Sequence, residues 1–193
     1  TKAVKRKKEH TKKNEKDNEK EKIRTQIELL KQSKEKNNKV EKIINFIWLI
    51  KIERMNKYKT QKAVTQLSYE ITGFAIKVHK ALGPGLLESV YEKCLKHELL
   101  KNGYNVQQQV KVSVIYDGID IEADLRLDLL VEDTVIVELK AIEYTLPIHE
   151  AQLMTYMKLL QKPQGLLINF NVVNISETMK PIVNEYFKRL PVT

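Results

Sequence analysis

The stretch Asp124-Leu125-Arg126-Leu127-Asp128-Leu129-Leu130-Val131, continued after Glu132-Asp133-Thr134 by Val135-Ile136-Val137-Glu138-Leu139-Lys140, decides the fold. Both halves alternate with a period of two, the signature of half-buried strands. Leu125, Leu127, Leu129, Val135, Val137 and Leu139 occupy odd positions, while Asp124, Arg126, Asp128, Glu138 and Lys140 occupy even ones. On strands of this kind the odd residues face one core and the charged residues share the opposite face. That parity limits the turn. A two-residue loop at Glu132-Asp133 would set Asp128 opposite Val137, on the wrong face. A three-residue loop or a bulge is therefore expected, placing Asp128 across from Glu138.

Adjacent strands lie about 4.8 Å apart, so carboxylates in that arrangement can grip one hard divalent cation. Mg²⁺ prefers oxygen ligands and often binds through one or two carboxylates, with water and substrate phosphate completing the shell. Lys140 projects from the same face as Glu138. It could orient or deprotonate a metal-bound water, or neutralise charge on a phosphate. The plain alternative is a solvated face whose cross-strand ion pairs add modest stability, and the spacing alone favours it.

Outside this hairpin, Gly85-Leu86-Leu87-Glu88-Ser89-Val90-Tyr91 spells GxxExxY directly after the turn Gly83-Pro84. Pro147-Ile148-His149-Glu150-Ala151-Gln152 opens a helix, and Leu166-Leu167-Ile168-Asn169-Phe170 is an apolar strand. Taken together, Ser68 to about Val183 resembles the bacterial GxxExxY protein family, a branch of the PD-(D/E)XK nuclease-like superfamily. The resemblance covers essentially one domain, with the motifs in the expected order. It implies that Asp128 is the metal-binding aspartate and that Glu138 and Lys140 form the (D/E)xK pair. It further implies that Glu88 is the acid on the first core helix and Gln152 the polar residue on the helix after the third strand. None of the five is substituted. Leu127 stands where the superfamily pattern has a proline, which leaves Asp124 as a competing candidate for the aspartate.

The fold expected is α/β, a restriction-endonuclease-like core of helix, three-strand meander, helix and strand, with flanking helices. Ser68 is read as the cap of a first helix whose stripe is Ile71, Phe74, Ala75, Val78 and Leu82. A second helix runs from about Leu86 to Lys101, with Glu88 at its start, where acids favour the helix dipole in any case. Tyr91 reads as a packing residue with a hydroxyl tether. A strand from about Val106 to Tyr116 follows, and Asp117-Gly118 turns the chain into the charged strand. Pro147 suits the first turn of the next helix, on which Gln152 and Tyr156 share a face. Gly165 to Phe170 is a strand, and a helix near Glu177 to Leu190 is expected to close the domain.

Charge divides the chain. Residues 1–62 hold 21 Lys/Arg against 9 Asp/Glu, and residues 63–193 hold 13 against 16, so the net +9 belongs to the first third. Residues 1–62 read as a lysine-rich extension, largely disordered or helical, that cannot bury a core. Its functional reading is a basic arm for nucleic acid. The first methionine is Met55, and residues 1–54 are read as upstream sequence read through in frame, or a fragment, with the natural start at Met55. The apolar run Ile43 to Ile50 is shorter than the ~20 residues of a membrane helix and reads as a short amphipathic or accessory segment. The domain is residues 63–193.

The lone cysteine, Cys94, lies in an apolar helical stripe and reads as core. With no signal-peptide pattern, the reading is soluble and cytoplasmic, without membrane attachment. Among the histidines only His149 is placed near the site, as a phosphate contact, whereas His79 reads as packed and His97 as solvent-facing. No Cys/His pattern suggests zinc. The function expected is a Mg²⁺- or Mn²⁺-dependent nuclease acting on DNA or RNA. Asp128 and Glu138 would hold the ion, Glu88 would assist directly or through water, Lys140 would poise the attacking water, and Gln152 would be accessory. The alternatives are a non-catalytic nucleic-acid- or protein-binding module, and a domain working inside an oligomer through Tyr91 and the Phe170 region.

Overall fold

In the computed structural model, residues 46–48 and 57–193 are described, and the chain divides into units at residues 1–52 and 53–193. Of the first unit only Phe46, Ile47 and Trp48 are described; they are helical and exposed. The expectations for the rest of residues 1–56 lie outside the described residues.

Thr60 opens the first helix of the second unit, α1 (Gln61–Leu82), its side chain accepting from the Ala63 N–H at 3.1 Å. Ser68, expected as the cap, is instead a buried residue inside this helix. A hydroxyl at Thr60 meets the same requirement two turns earlier, which lets Val64 and Leu67 join the buried stripe with Ile71, Ala75 and Val78. Gly83 ends the helix at φ 69°, where its N–H bonds the His79 carbonyl at 2.8 Å.

Helix α2 (Glu88–Lys101) follows, then β1 (Val106–Tyr116), β2 (Ile119–Val131) and β3 (Val135–Lys140). Helix α3 (Pro147–Leu159) leads to β4 (Gln164–Asn169), and β5 (Lys180–Val183) and α4 (Glu185–Lys188) close the described chain. The five strands lie in the order β1-β2-β3-β4-β5. Only β3 and β4 are parallel, and α3 crosses over between them, as a parallel pair requires.

The loop between β2 and β3 is Glu132-Asp133-Thr134, three residues long, with Glu132 and Asp133 at φ 52° and 50°. Leu129 pairs with Val137 and Val131 with Val135, so Asp128 and Glu138 stand one step further along the same register. The strict division of faces does not hold. Leu129, Val131, Val135, Val137 and Leu139 join one core with α1 and α2. Leu127 joins a second core with Ile136, Leu167, Leu153 and Met157, and Leu125 packs against it. Strand β2 therefore changes face between Leu127 and Leu129, opposite Gln109, which interrupts the β1 ladder at φ 52°. Both faces of the sheet centre are covered, so the charged positions are not a solvated face there.

The helix expected near Glu177 to Leu190 is replaced by a 3₁₀ turn (Ile175–Glu177), β5 and the short α4. Pro181 accounts for this: it lacks an N–H and would break a helix interior, yet an edge strand such as β5 tolerates it. Gly165 lets α3 sit directly on β4. A Cβ there would lie 2.7 Å from Leu153 Cγ and Met157 Sδ. Gly165→Ala should destabilise the domain by about 1–3 kcal/mol through overpacking. An unchanged melting temperature would refute that close approach.

Candidate active site

Asp128 sits where β2 parts from β3. Its Oδ2 accepts the Leu139 N–H at 2.8 Å, and only 8% of the residue is exposed. Its Oδ1 accepts from Gln109 Nε2 at 3.3 Å. Asp124, the competing candidate, is on the outside: its side chain is 79% exposed and pairs with Arg126 at 3.1 Å. Across from Asp128, Glu138 is 3% exposed. Its Oε1 takes a 2.7 Å bond from Lys140 Nζ, whereas its buried Oε2 has no partner.

Burial first, and then the charge of Asp128, pushes the Glu138 carboxyl up to about 7 against the pull of Lys140. Burial likewise pushes Asp128 up to about 6, opposed by the Leu139 N–H and Lys140 and reinforced by Glu88 and Glu92. On Lys140 burial acts to lower the proton affinity, but the hydrogen bond and charge of Glu138, with Glu88 and Asp128, outweigh it and leave it raised. Lys140 is thus held as an ammonium. That favours neutralising or orienting negative charge over abstracting a proton.

Glu88 opens α2, half-buried, and its charge reaches all three groups just named. Tyr91, one turn on, is fully buried. Its hydroxyl donates to the Gly83 carbonyl at 2.6 Å and accepts the Leu86 N–H at 3.0 Å, so it ties down the loop that delivers Glu88. Its ring stacks on Phe170 at 4.5 Å, and the Phe170 N–H bonds the Lys140 carbonyl at 2.8 Å. Tyr91 and Phe170 are fully buried against each other, so neither side chain is exposed to serve the oligomer interface weighed as an alternative. Gln152 lies on α3, half-buried, and donates to Tyr156 Oη at 3.0 Å. The structure thus gives it a tie within its own helix and no hydrogen bond to the acids. His149 accepts the Leu146 N–H on Nδ1 at 3.0 Å, and so serves as a cap of α3.

Two residues of this cluster were not singled out from the sequence. Glu92, one turn beyond Glu88, is 5% exposed. Gln109 Nε2 donates to its Oε1 at 2.9 Å. The i, i+4 spacing of the two glutamates was the available signal.

Among the described residues, no three His, Cys, Asp or Glu side chains gather closely enough to cage an ion unaided. The donor set nevertheless fits a hard cation that keeps much of its water. Two buried carboxylates stand together, and one has a free, fully buried oxygen. A family model described as the PD-(D/E)XK nuclease superfamily matches residues 65–182, more than half of the chain. The chain belongs to that superfamily. No curated protein and no solved structure matches it. PD-(D/E)XK nucleases generally use divalent metals, and membership implies a nuclease-like function on nucleic acid. Among the described residues of this PD-(D/E)XK protein, no helix is long and apolar enough to cross a membrane.

Proposed function

We infer that the protein is a Mg²⁺- or Mn²⁺-dependent nuclease of the GxxExxY branch, hydrolysing phosphodiester bonds of DNA or RNA in the bacterial cytoplasm. The observation that carries this reading is the buried Asp128–Glu138 pair, in which Glu138 Oε2 has no partner. Burying two carboxylates together is unfavourable unless something positive completes the site, and Lys140 engages only one of their four oxygens.

In this reading Asp128 and Glu138 hold the ion, and Glu88 contributes directly or through water. A bound divalent cation supplies Lewis acidity and a nucleophilic water at neutral pH. Lys140, kept as an ammonium, steadies the charge that develops on the phosphate. Gln152 is a more distant accessory that steadies α3 through Tyr156.

Residues 63–193 carry more acid than base. Their grip on a polyanion therefore depends on the cation, on the basic segment 1–62, or on a protein partner or second copy. That acid surplus is also the observation favouring the second reading, a binding module without catalysis. The discriminating experiment incubates the full chain with linear DNA, circular DNA and structured RNA, in Mg²⁺, Mn²⁺ or EDTA. Cleavage that requires the divalent ion is the expected result, and its preferred substrate names the class. Absence of cleavage, together with no heat of Mn²⁺ binding, would favour the module.

A further inference from the structure

We propose that Gln109 is a positioning residue: its side-chain amide holds Asp128 in ligating orientation and keeps it apart from Glu92. The proposal rests on the reading of Asp128 as a metal ligand and extends it to β1 and α2. The Gln109 amide has two N–H groups. Its nitrogen lies 2.9 Å from Glu92 Oε1 and 3.3 Å from Asp128 Oδ1. Both acids are more than nine-tenths buried, whereas Gln109 itself is exposed, and its amide nitrogen stands within hydrogen-bond reach of two carboxylates of like charge. Each oxygen of Asp128 is then held from a different strand, Oδ2 by the Leu139 N–H on β3 and Oδ1 by Gln109 on β1. Glu92 fixes the same amide from α2.

The backbone supports a specific role. Gln109 stands at φ 52° inside a strand, and the β1–β2 pairing runs from Gln108↔Leu129 to Val110↔Leu127 without it. A residue with a side chain is uncommon in that conformation, where glycine is at ease. The strand gives up regular pairing and accepts an unfavourable conformation at a position whose side chain reaches both acids. Strain of this kind is characteristic of positions that serve a site.

The left-handed backbone provides a test that separates positioning from folding. Gln109→Gly removes the amide while relieving the backbone, and Gln109→Met removes the donors at nearly constant length. The four proteins needed are the wild type, Gln109→Gly, Asp128→Asn and the double variant, with Gln109→Met beside them should glycine admit disorder. The readouts are the metal-free melting temperature and the Mn²⁺ dissociation constant by calorimetry.

Gln109→Gly should bind Mn²⁺ roughly tenfold more weakly, the scale of one charge-assisted hydrogen bond, while relief of the left-handed backbone offsets the lost hydrogen bonds and keeps the metal-free melting temperature close to that of the wild type. In the Asp128→Asn background the same change should leave Mn²⁺ affinity unaltered, because Gln109 acts through Asp128. Wild-type affinity in both Gln109→Gly and Gln109→Met would overturn the positioning role while leaving the metal site standing. An equal loss in the Asp128→Asn background would do the same. No Mn²⁺ binding by the wild type would overturn the metal reading and this role with it.

Discussion

Glu138→Gln should reduce metal-dependent cleavage by on the order of 10³-fold and at the same time raise the melting temperature of the metal-free protein at pH 8. The two effects share one cause. Glu138 keeps a charge in a buried place where desolvation and Asp128 outweigh the attraction of Lys140, as its proton affinity near neutrality indicates. The amide retains an acceptor for Lys140 Nζ and removes the charge that Asp128 opposes. Relief of about 1–3 kcal/mol follows from the shift at about 1.4 kcal/mol per pH unit, a rise of several degrees for a domain of this size. Addition of Mn²⁺ should reverse the ranking, because a ligand stabilises only the form that binds it. A metal-free variant that melts lower than wild type would mean that the Lys140–Glu138 pair dominates. The site would then be a self-contained ion pair and not a cation receptor.

The second large effect is the pH dependence of stability in EDTA. Asp128 and Glu138 both hold their protons more tightly folded than their ordinary values of 3.8 and 4.5, at about 6 and about 7. The native state therefore binds more protons than the unfolded state between about pH 4 and pH 7. In that window stability falls as pH rises. The contribution is complete below the unfolded values and lost above the folded ones, with a magnitude of a few kcal/mol for the coupled pair. Chemical denaturation in EDTA from pH 4 to pH 8 should show the wild type losing stability relative to Glu138→Gln, in which the slope is flattened. With saturating Mn²⁺ the difference should shrink, since the cation replaces the protons. Parallel curves for the two proteins in EDTA would show that Glu138 does not hold its proton more tightly in the folded state.

Much of this site can be reasoned from the chain because its hairpin is local. The parity of Leu129 and Val137 dictates a three-residue loop, and that register sets Asp128 beside Glu138. The Asp117-Gly118 turn and Pro147 fix two element boundaries through backbone chemistry. What escaped had a weak local signature or none. The change of face in β2 follows from a glutamine in a left-handed conformation on the neighbouring strand, and no sequence rule marks such a residue. Glu92 is buried and bonded to Gln109, a contact between α2 and β1 that its place on the helix does not foretell. At the C-terminus, a four-residue strand is too short for a period of two to outweigh a helical pattern, and only Pro181 argued against the helix. The Tyr91–Phe170 stack joins residues far apart in sequence, which alternation cannot foretell.

That stack has a bearing on where inactivating changes will fall. Phe170 is bonded to the backbone of Lys140 on one side and presses on the Tyr91 ring on the other, and Tyr91 in turn braces the loop that delivers Glu88. The acid on α2 and the lysine on β3 are thereby geared together by an oily strut with no polar atom at its centre. Since a displacement of about 1 Å can lower a rate by about 10²-fold, a random mutational scan for lost function should score Phe170 alongside the carboxylates. The most sensitive position in such a map need not be one that ever meets the substrate.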